Sequence, residues 1–153
     1  MAAPVLAGRA TLGPIASMVS SASTIEAERQ VTVSAEATGQ VTGLNAEEGD
    51  TVAASDVLAS LRRDTQATML ERAGVSVEKA TQDLARVKSL FAKGAASAEE
   101  VANLEVTLRN AKLDLRDRRR DVRNTRVRAP FNGVVTERFV NTGALVSSGA
   151  QLF

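Results

Sequence analysis

Residues 35–59 read AEATGQVTGLNAEEGDTVAASDVLA, and residues 129–153 read APFNGVVTERFVNTGALVSSGAQLF. Laid over one another at a constant offset of 94, without a gap, they share Ala35/Ala129, Gly39/Gly133, Val41/Val135, Thr42/Thr136, Gly49/Gly143, Val52/Val146 and Leu58/Leu152. The placing of these matches says more than their number. Each stretch reads as strand, glycine turn, strand, glycine turn, strand, with apolar residues after each glycine where a short half-buried strand needs them. Gly39, Gly49, Gly133 and Gly143 are the turn positions, where positive φ or a close backbone approach is expected. Neither copy has enough strands to bury a face alone, so the two should pair into one small sandwich.

The tract between the copies has a different period. Apolar residues step by three and four through Leu70, Ala73, Val77, Ala80, Leu84, Val87 and Phe91. The same spacing returns at Val101, Leu104, Leu108, Ala111, Leu115 and Val122, with Arg118 holding one seam position. A sustained 3-4 spacing leaves each helix a narrow apolar stripe, which suits coiled-coil pairing. Asp64 is placed to cap the first helix. Lys93 and Gly94 form the turn, with Gly94 suited to a left-handed stop. Ser97 and Glu100 then have the spacing of a capping box that opens the second helix. So short a turn permits only an antiparallel return. An arm of about 27 residues gives a rod about 40 Å long. Small residues at Ala73, Ala80 and Ala111 should let the helices approach closely. The seam itself is packing, which moves the search for function to the rod's two ends.

Composition removes several function classes. The chain of 153 residues has a formal net charge of +1 and contains no Cys, His, Trp or Tyr. Disulfides, thiol nucleophiles, Ser-His-Asp triads and the commonest metal ligands are thereby excluded together. No apolar run approaches the ~18 residues of a membrane-spanning helix. Residues 1–22 lack the basic start and apolar block of a signal peptide. Arg116, Arg118, Arg119, Arg120, Arg123, Arg126 and Arg128 form the one basic cluster, interleaved with Asp114, Asp117 and Asp121. Without aromatic residues beside it this cluster does not read as a nucleic-acid face. Contacts between neighbouring subunits are the better reading of it.

Gly39-Gln-Val-Thr followed by Glu47-Glu-Gly-Asp-Thr-Val52, and later Thr125-Arg-Val-Arg-Ala-Pro-Phe-Asn-Gly-Val-Val135, resemble the two half-motifs of the HlyD-type periplasmic adaptor, or membrane fusion, proteins. The order half-motif, coiled-coil hairpin, half-motif resembles them too, over residues 25–153. The resemblance implies an α+β fold: a split lipoyl-like (barrel-sandwich hybrid) β domain with an inserted antiparallel α-hairpin. It divides the chain into a lead-in at 1–34, half-motifs at 35–62 and 125–153, and a hairpin at 63–124. Related carrier domains place a modified lysine in the turn between the halves. Here the hairpin replaces that turn, and Lys79, Lys88, Lys93 and Lys112 all lie in or beside it.

At the tip, Arg86, Leu90 and Ser97 are similar in identity and spacing to the residues by which such adaptors dock on TolC-like outer-membrane channels. Arg86 offers a multi-donor fork to a partner helix, and Leu90 adds an apolar contact one turn away. Each also has a plainer reading: a solvated charge, an apolar residue flanking the seam, and a helix N-cap. The resemblance further implies a non-enzymatic periplasmic subunit of a tripartite efflux or secretion system. Its partners would be the channel and an inner-membrane transporter of RND or ABC type, its full-length form a hexamer associated with the inner membrane, and no cofactor or nucleic acid would be involved. The family's β-barrel and membrane-proximal domains have no counterpart in this sequence, so part of a longer protein is expected, with a natural short form as the alternative. Residues 1–23 should then be loosely ordered or unusually paired. A structural coiled-coil protein of the cell envelope, without a transport role, is the competing function.

Overall fold

The computed structural model describes residues 29–153; the expectation for residues 1–23 lies outside them. The described elements run β1 (Gly39–Leu44), β2 (Thr51–Val52), β3 (Val57–Leu61), α1 (Asp64–Ala92), α2 (Ala98–Asn124), β4 (Arg126–Arg128), β5 (Gly133–Val134) and β6 (Leu145–Val146). The strands form a four-stranded sheet in the order β4-β3-β1-β6 and a two-stranded sheet of β2 and β5. All of these pairs are antiparallel.

The repeat in the sequence becomes an approximate two-fold axis in the fold. β1 meets β6 at Gly39/Val146 and Gln40/Leu145, while β2 meets β5 at Val52/Gly133 and Thr51/Val134. Shifting every number by 94 turns one set of pairs into the other. Loop hydrogen bonds obey the same rule. The N–H of Gly49 donates to Val135 O at 2.8 Å, and that of Gly143 to Val41 O at 2.8 Å. Ser55 N–H donates to Ala129 O at 2.8 Å, and Gly149 N–H to Ala35 O at 2.7 Å. Each half therefore satisfies its backbone groups largely through the other half.

One core serves both copies. Its buried members include the mates Ala35/Ala129, Val41/Val135, Ala46/Val140 and Leu58/Leu152. The equivalence even extends to backbone conformation. Gly49 and Gly143 have φ of 91° and 90°, and Ser55 adopts φ 72° where its mate Gly149 has 90°. A left-handed residue with a Cβ is strained by about 1–2 kcal/mol, partly offset by the freedom that glycine brings to the unfolded chain. Ser55→Gly is thus expected to raise stability by up to about 1 kcal/mol, read as a higher urea midpoint at unchanged slope. A fall in the midpoint would show that Ser55 carries no strain.

The hairpin leaves and re-enters the sandwich at one point, where Leu61 N–H donates to Thr125 O at 2.7 Å. Thr125 is buried, and its hydroxyl donates to Val122 O at 2.7 Å. Ala73, Ala80 and Leu84 are the buried residues of α1, whereas α2 buries none fully. A two-helix seam has no third helix to close it, so the remaining stripe residues stay half-covered.

The first helix starts differently from the sequence expectation. Arg63, not Asp64, is its N-cap, and no side chain caps it. β3 runs almost directly into the helix, and Arg62 N–H is already taken by Gln40 O at 2.8 Å. Asp64 becomes the first helical residue, where its charge still complements the positive end of the helix.

Candidate functional site at the hairpin tip

The tip is built by two local motifs. At the end of α1, Gly94 has φ 74°. Its N–H donates to Phe91 O at 2.9 Å, and Ala95 N–H donates to Leu90 O at 2.9 Å. These two bonds make a Schellman stop, which satisfies carbonyls that the helix end would otherwise orphan. Lys93 is the C-cap residue. At the start of α2, the N–H of Glu100 donates to Ser97 Oγ at 3.1 Å, and Ser97 N–H donates back to Glu100 Oε2 at 2.8 Å. Turn and cap together leave a compact end whose side chains face outward.

Arg86, Leu90 and Ser97 are all exposed. Arg86 is paired with Asp83 one turn back on the same helix, yet its side chain remains 68% exposed. Leu90 is 40% exposed. Ser97 is committed to its cap, so its hydroxyl is already occupied as an acceptor. The glycines of the sandwich, Gly39, Gly49, Gly133 and Gly143, lie away from the tip, beyond the foot of the hairpin. Of these four expected turn positions only Gly49 and Gly143 have positive φ. Gly39 and Gly133 instead open β1 and β5, where the reason for glycine is close approach: a Cβ would lie 3.4 Å from Arg62 O at the first and 3.4 Å from the Phe131 ring at the second.

Phe91 departs from its expected place in the seam: it is 48% exposed. The reason is geometric. It falls in the last turn of α1, opposite the first turn of α2, so little of the second helix is available to cover it. Phe91 thereby adds a second exposed apolar side chain to the last turn of α1, next in sequence to Leu90, which lies one turn from Arg86. Its distance from Gly94 was the signal, because a stripe residue three positions before a helix stop has a partner on one side only.

Lys88 and Glu105 fix the two helices against each other near this end. Their side chains meet at 2.7 Å, the one ion pair between helices among the described residues. The hydrogen bond from Lys88, then its charge, holds the Glu105 carboxyl below the ordinary carboxylate range; partial desolvation opposes this and Arg109 adds to it. A depressed acid stabilises the fold above its unfolded pKa, and that help fades as pH falls through the lowered value. Because both side chains remain about half exposed, the pair sets register more than it adds stability.

A small sandwich closed by reciprocal strand exchange, with a helical hairpin inserted between its halves, defines the barrel-sandwich hybrid class. The family model for the CzcB-like barrel-sandwich hybrid domain matches residues 29–153, and the chain belongs to that family. No curated protein matches the chain. Among solved structures, it resembles a MacA–MexA chimera carrying the Pseudomonas aeruginosa MexA α-hairpin domain, at 24% identity and a TM-score of 0.78, over 83% of this chain and 47% of that one. A candidate efflux transporter from Bacteroides eggerthii DSM 20697 is similar at 24% identity and TM-score 0.75, over 80% and 37%. The membrane fusion protein Spr0693 from Streptococcus pneumoniae R6 matches at 17% identity and TM-score 0.61, over 79% and 61%. The chain thus spans between a third and a half of the first two neighbours. These likenesses establish a shared fold with membrane fusion and periplasmic adaptor proteins. Among the described residues, no helix is long and apolar enough to cross a membrane.

Proposed function

We propose that this chain is the rod-bearing part of a periplasmic adaptor in a tripartite efflux or secretion system. The hairpin tip docks on a TolC-like outer-membrane channel through Arg86 and Leu90, with Ser97 shaping the end on which they stand. Toward the other end, the protein works with an inner-membrane transporter and assembles with copies of itself, as a hexamer in the full-length form. The rod transmits position and performs no chemistry.

One observation carries this reading: Leu90, Phe91 and Arg86 all stand exposed in the last two turns of α1, at the far end of an otherwise capped rod. An apolar centre next to a multi-donor cation suits the end of a partner's helices, where carbonyls are short of donors. The chain has no cysteine, so Leu90→Cys in the full-length protein carries a single thiol if the remaining domains also lack one or have theirs replaced. Oxidative cross-linking to a channel bearing cysteines at its helical ends is expected from Leu90→Cys. It is not expected from Val75→Cys, halfway along the rod and 61% exposed. Equal cross-linking from both positions would remove the tip from the mechanism.

A further inference from the structure

At the foot of the hairpin, where α2 passes into β4, a cleft of about 440 Å³ is lined by Arg63, Arg123, Arg126 and Arg128, with Glu36 as its one carboxylate. A neighbouring opening of about 400 Å³ shares Arg63 and Arg126 and adds Arg62 and Asp64. Exposed arginines commonly do no more than solvate a face. Two observations set these apart.

The first is a change in how α2 spends its arginines. Arg118 is held between Asp114 and Asp121, and Arg120 pairs with Asp117. Beyond Asp121 no acidic residue follows until Glu137. Among the described residues, Arg63, Arg123, Arg126 and Arg128 form no ion pair. The end of the helix accounts for Arg123, which complements its negative pole, but not for Arg126 and Arg128.

The second is the approximate two-fold axis, which supplies an internal control. Ser34 bridges Gln151 as Arg128 pairs with Val57, and each of these residues is shifted by 94 from its mate. The same shift places Thr32 where Arg126 stands. The fold therefore builds this piece of backbone once with small neutral side chains and once with two arginines. Residues 126 and 128 lie on one face of β4. One N–H of the Arg128 guanidinium is taken by Ser55 O at 2.6 Å, outside the cleft lining, and Arg126 has no such partner among its side-chain bonds.

We infer that this cleft binds a phosphate-bearing anion. Guanidinium forks approaching from several elements can share one tetrahedral oxyanion of two or more charges, whereas a carboxylate offers two oxygens in a single plane. Ser34 and Asn124, also in the lining, add neutral donors. Free diphosphate and the phosphate of a lipid headgroup present the same chemistry.

The test is calorimetric titration of the protein with inorganic diphosphate at low salt, beside sedimentation with phosphatidylcholine vesicles with and without phosphatidic acid. In the variant Arg126→Thr/Arg128→Ser, each arginine is replaced by the residue its mate position already carries, so circular dichroism should be unchanged. Affinity should fall at least about tenfold. Arg123→Gln, which leaves the strand untouched, should weaken binding in the same direction. Diphosphate binding lost in these variants identifies a soluble ligand, and vesicle binding lost in the same way identifies a headgroup. Binding of neither probe, or binding that survives the double substitution, overturns the site. Capture of poly-glutamate in place of both phosphate probes overturns it in favour of an acidic peptide.

Discussion

Leu152→Ala is expected to remove about 2–5 kcal/mol of unfolding free energy, the usual range for deleting a buried leucine side chain. The upper part of that range applies here. Leu152 is fully buried, and of the thirteen residues in the core only Leu58, Leu61, Leu152 and Phe153 are larger than valine. So few large side chains leave little to collapse into the cavity. A domain of ordinary stability, about 5–15 kcal/mol, would lose a large fraction of it. The two-fold relation adds a sharper expectation: Leu58→Ala, its 2%-exposed mate, should cost about as much. Urea unfolding of both variants is the measurement. A loss under about 1 kcal/mol at Leu152 would contradict the shared core described above.

Arg86→Asp is expected to weaken docking on the channel by about thirtyfold or more, as reversal of a charge paired across an interface does. Stability should scarcely change. Arg86 is exposed and its partner Asp83 is on its own helix, so the substitution exchanges a weak attraction for a repulsion of a few tenths of a kcal/mol. Surface-binding measurements between full-length protein and channel, beside thermal melts, separate the two effects. Ser97 requires different handling. Ser97→Ala removes the capping box and costs about 1 kcal/mol, so weaker docking in that variant could arise from a frayed tip. Ser97→Asp keeps a capping oxygen, and any effect it has on docking belongs to the interface. Undiminished binding by Arg86→Asp would leave the tip without its main donor and remove the proposed docking mode.

The parts of the fold that were legible in the sequence are those written locally. The seam from Leu70 to Val122, the stop at Gly94 and the box at Ser97 and Glu100 depend on residues within a turn or two of one another. The repeat at offset 94 was also visible, because both copies must meet the same backbone demands. The exchange of strands between copies was less legible: nothing in β1 says that its neighbours are β3 and β6, since pairing is a property of the closed sandwich. The left-handed position of Ser55 is also written in the alignment. A serine aligned with Gly149 is the trace of a left-handed residue without its glycine. Asp64 misled because a good capping residue lay one position inside the helix, where the incoming strand had fixed the boundary. At the tip, Arg86, Leu90 and Ser97 rest on the resemblance to channel-docking adaptors, while the exposure of Phe91 depended on how far α2 reaches.

The joint between Leu61 and Thr125 separates two design variables. Because the chain departs and returns through a single hydrogen-bonded pair, the sandwich is indifferent to what lies between. Adding one heptad to each arm would keep the seam in phase and move the tip outward by about 10 Å, with no change at the base. The hairpin is in that sense a ruler that can be recut in steps, so the reach of the rod can change without reworking the sandwich.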